Sequence, residues 1–416
     1  MTKEMSTFKK YLILLILGAS AGAIYILPYI KYTFYAETMQ VMNITDAQSG
    51  FLLSMYAIGC IVLYIPGGIL ADKIQPKWAI AVSLFITTMF TFVFAFTFDY
   101  ATACVIWFFL AFCSCFVFWA AILKAVRVIG KPEEQGRMYG IYYAANGGAS
   151  AIISTLCLNT YSATNGGDVT HGMFMACMVM AAFTALCTIL VLIFVPSQTK
   201  EEIAAKGEDE KFKISDLGKV FSNKYIWILS AMFFCIYGVY SCSTYFTPYV
   251  TDILGYSSEE SSLMNIVRVY GAMFAVPPIA GYLADKVFKS TTKWFVVCGS
   301  MLTVVVVSII VLGSMGVSAG FISLLTIVVG FFAMGLYGIM FSTMNEARIP
   351  VEVTGTAIGI ASIVGYLPDL VMHTFFGNLI GNYGETGYLY IFWILAAMSI
   401  IPAIGAAYIY KTKVKD

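Results

Sequence analysis

The chain has 416 residues, of which 60% are hydrophobic and 11% charged, and its formal net charge is +1. A water-soluble domain carries about a quarter charged residues, so this composition excludes a soluble globular protein. The near-zero net charge gives no reason to expect a nucleic-acid partner.

Apolar stretches of about 20 residues or more, each long enough to cross about 30 Å of hydrocarbon, recur along the whole chain. Twelve are predicted, at 11–34, 47–71, 78–98, 103–129, 137–160, 171–196, 225–250, 259–284, 293–314, 319–345, 354–380 and 386–410. The first follows Lys9 and Lys10. Its run is too long for a signal peptide and no small-residue cleavage site follows, so it is read as a retained helix. The ten cysteines fall mostly inside these helices without paired ligand spacing. Cys113 and Cys115 read as small apolar residues, and neither a disulfide framework nor a metal site is expected. No phosphate-binding loop or other cofactor motif is present, and no nucleophile, base and oxyanion constellation suggests an enzyme.

Basic residues are retained on the cytoplasmic side of a membrane. With twelve spans and both termini cytoplasmic, all but two of the 24 Lys and Arg fall in cytoplasmic loops, tails or helix ends facing them. The exceptions are Lys31, towards the outer end of the first helix, and Arg268, inside the eighth.

The chain repeats itself. GILADK at Gly68–Lys73 returns as GYLADK at Gly281–Lys286, each where an apolar run gives way to lysines. Tyr25, Pro28 and Tyr29 return as Tyr245, Pro248 and Tyr249. Glu133, Gly136 and Gly140 return as Glu352, Gly355 and Gly359. Glycines four apart let helix backbones approach closely in lipid. Thr45 with Gln48 and Ser258 with Ser261 are cap signals for the second and eighth helices. The expected fold is an all-α integral membrane protein. Residues 1–198 form one six-helix bundle, 199–224 a polar cytoplasmic linker and 225–416 a second six-helix bundle.

These features together resemble the major facilitator superfamily, whose signature is a glycine, an aspartate four residues on and then basic residues. Here it reads Gly68, Asp72, Lys73 and Lys77, with a second copy at Gly281, Asp285, Lys286 and Lys289. The first copy departs from the pattern, with Gln75 and Pro76 where Gly and Arg are usual. The resemblance implies two bundles with substrate held between them near the midplane, and transport by rocking of the halves. It also implies a cytoplasmic latch at this loop. Gly68, Asp72, Lys73, Arg127, Arg137, Gly281, Asp285, Lys286, Glu346 and Arg348 are the candidate gate residues. The glycine-proline pair of drug/proton antiporters is missing, since Asn146, Gly147, Gly148 and Ala149 contain no proline. Cationic anchors on helices one and eight resemble organic-anion branches of the superfamily, including monocarboxylate carriers. Their carboxylate one turn before the helix-eight arginine is replaced here by Met264.

A charge inside the membrane is costly unless it faces a polar cavity or a partner, so intramembrane ionisable groups are functional candidates. Arg268 shares a face with Ser261, Asn265, Ala272 and Ala275, and its planar fork suits carboxylate, phosphate or sulfonate oxygens. The alternative is an arginine neutralised internally by an acid such as Asp369. Lys31 either faces the cavity or snorkels to the outer surface. Asp369 and His373, one turn apart on helix eleven with Ser362 and Tyr366 on the same stripe, are the proton-coupling candidates. Tyr25, Tyr29, Trp119, Tyr143, Asn146, Tyr240, Thr244 and Tyr245 are expected to line the cavity. Lys124 and Glu346 suit gate or packing roles.

The expected function is secondary active transport of a small organic anion, a carboxylate or an acidic sugar derivative, across a cell membrane. It would work by alternating access, as proton symport or anion exchange, with a monomer sufficient. One alternative is a carrier of a neutral solute or drug with Arg268 structural. Another is a non-transporting membrane sensor.

Overall fold

The computed structural model describes residues 6–71, 74–116, 118–129, 135–197, 221–349 and 351–414, with backbone alone at 64–71, 120, 124, 127–128, 135–137, 139 and 351–356. Among the described residues there is no strand. Twelve helices among these residues are long and apolar enough to cross a membrane: α1 (Thr7–Ile26), α2 (Asp46–Leu63), α3 (Pro76–Thr97), α4 (Tyr100–Leu123), α5 (Gly140–Thr164), α6 (Val169–Phe194), α7 (Lys224–Asp252), α8 (Ser258–Val287), α9 (Thr291–Ser314), α10 (Ala319–Glu346), α11 (Ala357–Tyr383) and α12 (Glu385–Val414). Their exposed side chains include Val62, Phe96, Ile193 and Ile404, apolar groups that suit contact with lipid rather than water.

The first helix is shorter than its apolar run. It stops at Ile26, and the chain continues through a 3-10 turn, Ile30–Tyr32, into a short helix, Tyr35–Met42. Pro28 causes the break: it has no N–H to donate, and its ring collides with the carbonyl four residues earlier. The Pro28 carbonyl accepts a hydrogen bond from Trp107 Nε1 on α4 at 3.0 Å. Trp107→Phe keeps the ring buried but leaves that carbonyl unpaired, and is expected to cost about 1–2 kcal/mol in stability. Thermal unfolding measures this; an unchanged midpoint would mean that the carbonyl finds another donor.

Helix starts follow capping chemistry. At α2 the Thr45 N–H donates to Gln48 Oε1 at 2.9 Å and the Gln48 N–H to Thr45 Oγ1 at 3.3 Å. At α8 the cap is Ser257, one residue before the expected Ser258. Glu260 stands three residues after Ser257 and reaches back to its N–H at 2.9 Å, which fixes the register. Ser261 instead accepts from Thr251 Oγ1 at 2.9 Å.

The chain divides into two compact units, residues 1–44 with 51–208, and residues 45–50 with 209–416. Of the expected linker 199–224, residues up to 220 lie outside those described. In the first unit α1 packs on α5 and α6, α3 on α4 and α6, and α5 on α6. In the second, α7 packs on α11 and α12, α9 on α10 and α12, and α11 on α12, the same pattern six helices later.

Close backbone approach occurs at glycines other than those the repeat highlighted. A Cβ on Gly18 would lie 2.8 Å from the Tyr142 carbonyl oxygen and would collide with the Ala145 methyl, so α1 meets α5 closely only without a side chain there. Gly140 and Gly359, expected at crossings, have nothing within 4 Å of a built Cβ among the described residues. Gly136 and Gly355 are described in backbone only. The four-residue spacing allows a close crossing, and partner position decides where one forms. The cysteine reading also needs correction: Cys60 on α2 and Cys115 on α4 form a disulfide with Cα atoms 5.4 Å apart, across 55 residues of sequence. Spacing along one helix carried no trace of a pairing between two.

Candidate functional site

Arg268 is fully buried in the second unit. It sits in a π-helical turn, Val267–Gly271, inside α8, an irregularity frequent at functional sites. Its guanidinium donates four hydrogen bonds, all to neutral acceptors. Nε and Nη2 donate to Asn265 Oδ1 at 3.2 and 2.7 Å. Nη2 also donates to Thr247 Oγ1 on α7 at 2.9 Å, and Nη1 donates to Thr326 Oγ1 on α10 at 3.0 Å. The Thr326 hydroxyl gives its own proton to the Ser323 carbonyl at 2.7 Å, so its lone pairs are left for the guanidinium. The Phe246 ring centroid lies 5.5 Å from the guanidinium carbon, a cation–π contact. A guanidinium has five N–H donors; among the described residues four are engaged and one on Nη1 has no acceptor. Among the described residues no carboxylate forms an ion pair with it, and Asp369 is not a partner. Among the described residues the charge is solvated by neutral acceptors and meets no counter-charge.

Gly330 on α10 makes this placement possible. A Cβ there would fall 2.5 Å from Arg268 Cγ and 2.9 Å from its backbone carbon, and would collide with its carbonyl oxygen. The backbone cannot yield as a flexible side chain would. Gly330→Ala is therefore expected to displace Arg268, lower stability by about 1–3 kcal/mol and reduce transport at least tenfold. Uptake normalised to folded protein measures it; full activity would show that α8 and α10 can separate without loss.

Asp369 is engaged elsewhere in the same unit. It accepts from Tyr237 Oη and Ser241 Oγ, both on α7, each at 2.6 Å. His373 Nε2 lies 2.8 Å from Ser241 Oγ and 3.4 Å from Asp369 Oδ1. The serine has one proton, given to Asp369, so it accepts from His373, and Nε2 carries hydrogen. Tyr245 stacks on the His373 ring with centroids 5.6 Å apart and donates to the His373 carbonyl at 2.6 Å. The result is a buried acid, hydroxyl and imidazole in one connected group.

A phenol cluster lies beside it. Tyr237 meets Tyr366 edge-on at 4.6 Å, Tyr366 and Tyr337 share a hydrogen bond of 3.1 Å, and Tyr240 stacks on Tyr337 at 5.1 Å. Tyr240 and Tyr337 pack on the cluster of Ala272, Val276, Ala280 and Met334, whose first two members stand one and two turns beyond Arg268 on α8. Guanidinium and aromatic platform are thus neighbours along one helix.

The other candidates divide between the two units. In the first unit Lys31 is buried, its Nζ 5.6 Å from the Tyr35 ring centroid, so it does not snorkel outward. Tyr25, Tyr29, Trp119 and Tyr143 are half-buried, and Asn146 is buried, accepting from Ser150 Oγ at 3.5 Å. Tyr29 packs on Tyr32 and Tyr56 at 5.1 and 5.7 Å. In the second unit Thr244 and Tyr245 are fully buried, the tyrosine hydroxyl tied to α11 as above. Of the gate candidates, Asp72 and Lys73 lie outside the described residues, and Gly68, Arg127 and Arg137 are described in backbone only. Gly281, Asp285 and Lys286 close α8; Asp285, Lys286 and Arg348 are solvent-exposed, and none forms an ion pair among the described residues. Glu346 has a clear structural task. It accepts from Ser290 Oγ at 2.9 Å and the Thr292 N–H at 3.0 Å, capping α9.

Comparison with known proteins fits this architecture. Residues 12–372 match the model of the Major Facilitator Superfamily. The chain belongs to that superfamily. It is 25% identical over 415 residues to the inner membrane protein YihN of Escherichia coli (strain K12), covering 98% of this chain and 97% of that one. Its fold is similar to that of a bacterial homologue of the human lysosomal transporter Spinster, with a TM-score of 0.74 at 14% identity and 99% of each chain covered. It is also similar to that of a D-xylose–proton symporter, with a TM-score of 0.73 at 15% identity, covering 96% and 97%. This superfamily member is a multi-pass protein of the cell membrane with a transporter fold.

Within this superfamily fold several residues matter that the sequence did not single out. Thr247, Thr326, Phe246 and Gly330 build the Arg268 site, and Tyr237 and Ser241 build the Asp369 site. Thr247 and Phe246 stand inside the repeated tyrosine-proline motif, a signal that was present. Thr326 and Gly330 had none, because small and hydroxyl residues are common in membrane helices.

Proposed function

We propose that this protein is a secondary active carrier of a small organic anion, a carboxylate or an acidic sugar derivative, working by alternating access. One observation carries the reading: the Arg268 guanidinium is fully buried among neutral acceptors, with no carboxylate paired to it among the described residues. A charge kept inside a membrane protein at such cost suits a counter-charge that comes and goes. An oxyanion would take the open Nη1 donor and complete the charge pair, while the ring of a sugar acid would suit the phenols one turn along α8. Asp369 with His373 is the proton-coupling pair in this reading, and symport with a proton or exchange for a second anion balances the substrate's charge. Lys31, Tyr25, Tyr29, Trp119, Tyr143, Asn146, Tyr240, Thr244, Tyr245 and Asn265 complete the proposed substrate residues. Gly281, Asp285, Lys286 and Arg348 belong to the proposed cytoplasmic gate.

A second reading, transport of a neutral solute, has its own supporting observation: four of the five guanidinium donors are already engaged by the protein. The D-xylose–proton symporter of similar fold is named for a neutral sugar. Competition separates the two. Uptake into proteoliposomes is measured against a panel of small carboxylates, sugar acids and the matching neutral sugars. The anion reading expects inhibition by acids and none by their neutral counterparts; the reverse order supports the second reading.

A further inference from the structure

The basic end of the second unit, where α7 begins and α12 ends, holds a second concentration of cationic side chains. Lys224 Nζ lies 5.3 Å from the centroid of the Tyr225 ring, and Lys413 Nζ lies 4.7 Å from the same centroid. Two ammonium groups from different helices therefore converge on one phenol ring. Lys224 also donates to Tyr408 Oη at 3.1 Å, with its Nζ 5.7 Å from that ring, and Tyr225 and Tyr408 lie 6.3 Å apart. Among the described residues neither lysine has a carboxylate partner, and Lys413 makes no hydrogen bond. Like charges gathered this way repel unless an anion sits between them. An ammonium has three donors, so at least two on Lys224 and all three on Lys413 are open to one.

The surroundings say which anion. The long apolar run of α12 ends at this level, and Ile404 one turn below Tyr408 is 61% exposed. Trp227, 44% exposed, stands one turn into α7, with its indole N–H on the Phe221 carbonyl at 3.0 Å. Half-exposed Trp and Tyr beside lysines, above bare aliphatic surface, mark the boundary between acyl chains and head groups. We infer that Lys224, Lys413, Tyr225 and Tyr408 form a binding site for the phosphate head group of an anionic phospholipid, its acyl chains lying against the exposed faces of α7 and α12. This site lies apart from the proposed substrate site and does not depend on the cargo. An anion here would hold the α7 and α12 ends together by a contact supplied from the membrane.

Lys293 provides an internal control. It lies over the Tyr410 ring at 5.1 Å, at the same end of the unit but on a different ring, and its removal changes net charge equally. The test uses the purified full-length chain in detergent, with thermal unfolding followed as phosphatidylglycerol or phosphatidylcholine is titrated in. Phosphatidylglycerol is expected to raise the midpoint more than phosphatidylcholine. Lys224→Gln and Lys413→Gln are each expected to weaken the half-saturating phosphatidylglycerol concentration about fivefold, while Lys293→Gln leaves it unchanged. An equal effect of Lys293→Gln would reduce the phenomenon to general surface charge and overturn the site. Unchanged response in both site variants would also overturn it, as would a midpoint shift reproduced by glycerol phosphate alone, which would mark a site for soluble anions. Native mass spectrometry of the unaltered protein needs no variant: equal retention of the two lipids contradicts the proposal.

Discussion

Arg268→Ala is expected to lower uptake by at least about 30-fold while leaving membrane insertion and folding intact. The figure follows from removing one partner of a buried charge pair, which costs about 2–5 kcal/mol in binding. The fold should survive because the substitution takes a charge out of an apolar interior, and the stranded acceptors are hydroxyls and an amide that can turn to one another. Asn265, Thr247 and Thr326 approach the guanidinium from three helices. A lysine at 268 is a point charge on a flexible stem and cannot serve all three, so Arg268→Lys should recover only part of the activity. Uptake per folded molecule in proteoliposomes measures both variants. Normal transport by Arg268→Ala would return the arginine to a purely structural role.

The second large effect is expected at Asp369. Asparagine has nearly the same shape, can accept from one of the two hydroxyls of Tyr237 and Ser241 and donate its amide N–H to the other, but it cannot carry a proton. Asp369→Asn should therefore abolish accumulation driven by a proton gradient, by tenfold or more, while exchange of labelled for unlabelled substrate at equilibrium continues. That division separates a coupling residue from a folding residue, since a folding defect would lower both. Ser241 holds acid and imidazole together, at 2.6 Å from Asp369 and 2.8 Å from His373, so the pair is expected to act as one titrating unit. Proton-driven accumulation retained by Asp369→Asn would remove this group from the coupling mechanism.

How far each feature could be read from the sequence depended on how local its cause is. The twelve helices were legible because hydropathy over about 20 residues is a property of the segment itself. Arg268 was legible because a lone charge in an apolar run stands out. Its partners were not: Thr247 and Thr326 lie 21 and 58 residues away, and only packing brings them to it. The same holds for Tyr237 and Ser241, at 132 and 128 residues from Asp369, and for the disulfide between Cys60 and Cys115. The break of α1 after Ile26 followed from Pro28, yet proline is tolerated within α8, α11 and α12. At Pro28 the freed carbonyl takes an indole donor from α4, another long-range contact. The shift of the α8 cap from Ser258 to Ser257 was local and readable, since Glu260 three residues later identifies the cap.

The measurement that bears most directly on the function is ligand-dependent thermal unfolding of the purified protein with small carboxylates, sugar acids, neutral sugars and phosphate esters, run in parallel on Arg268→Ala. Anion recognition at Arg268 requires that one class of acid raise the unfolding midpoint and that the variant lose the shift. Stabilisation by neutral solutes that survives in Arg268→Ala would contradict it.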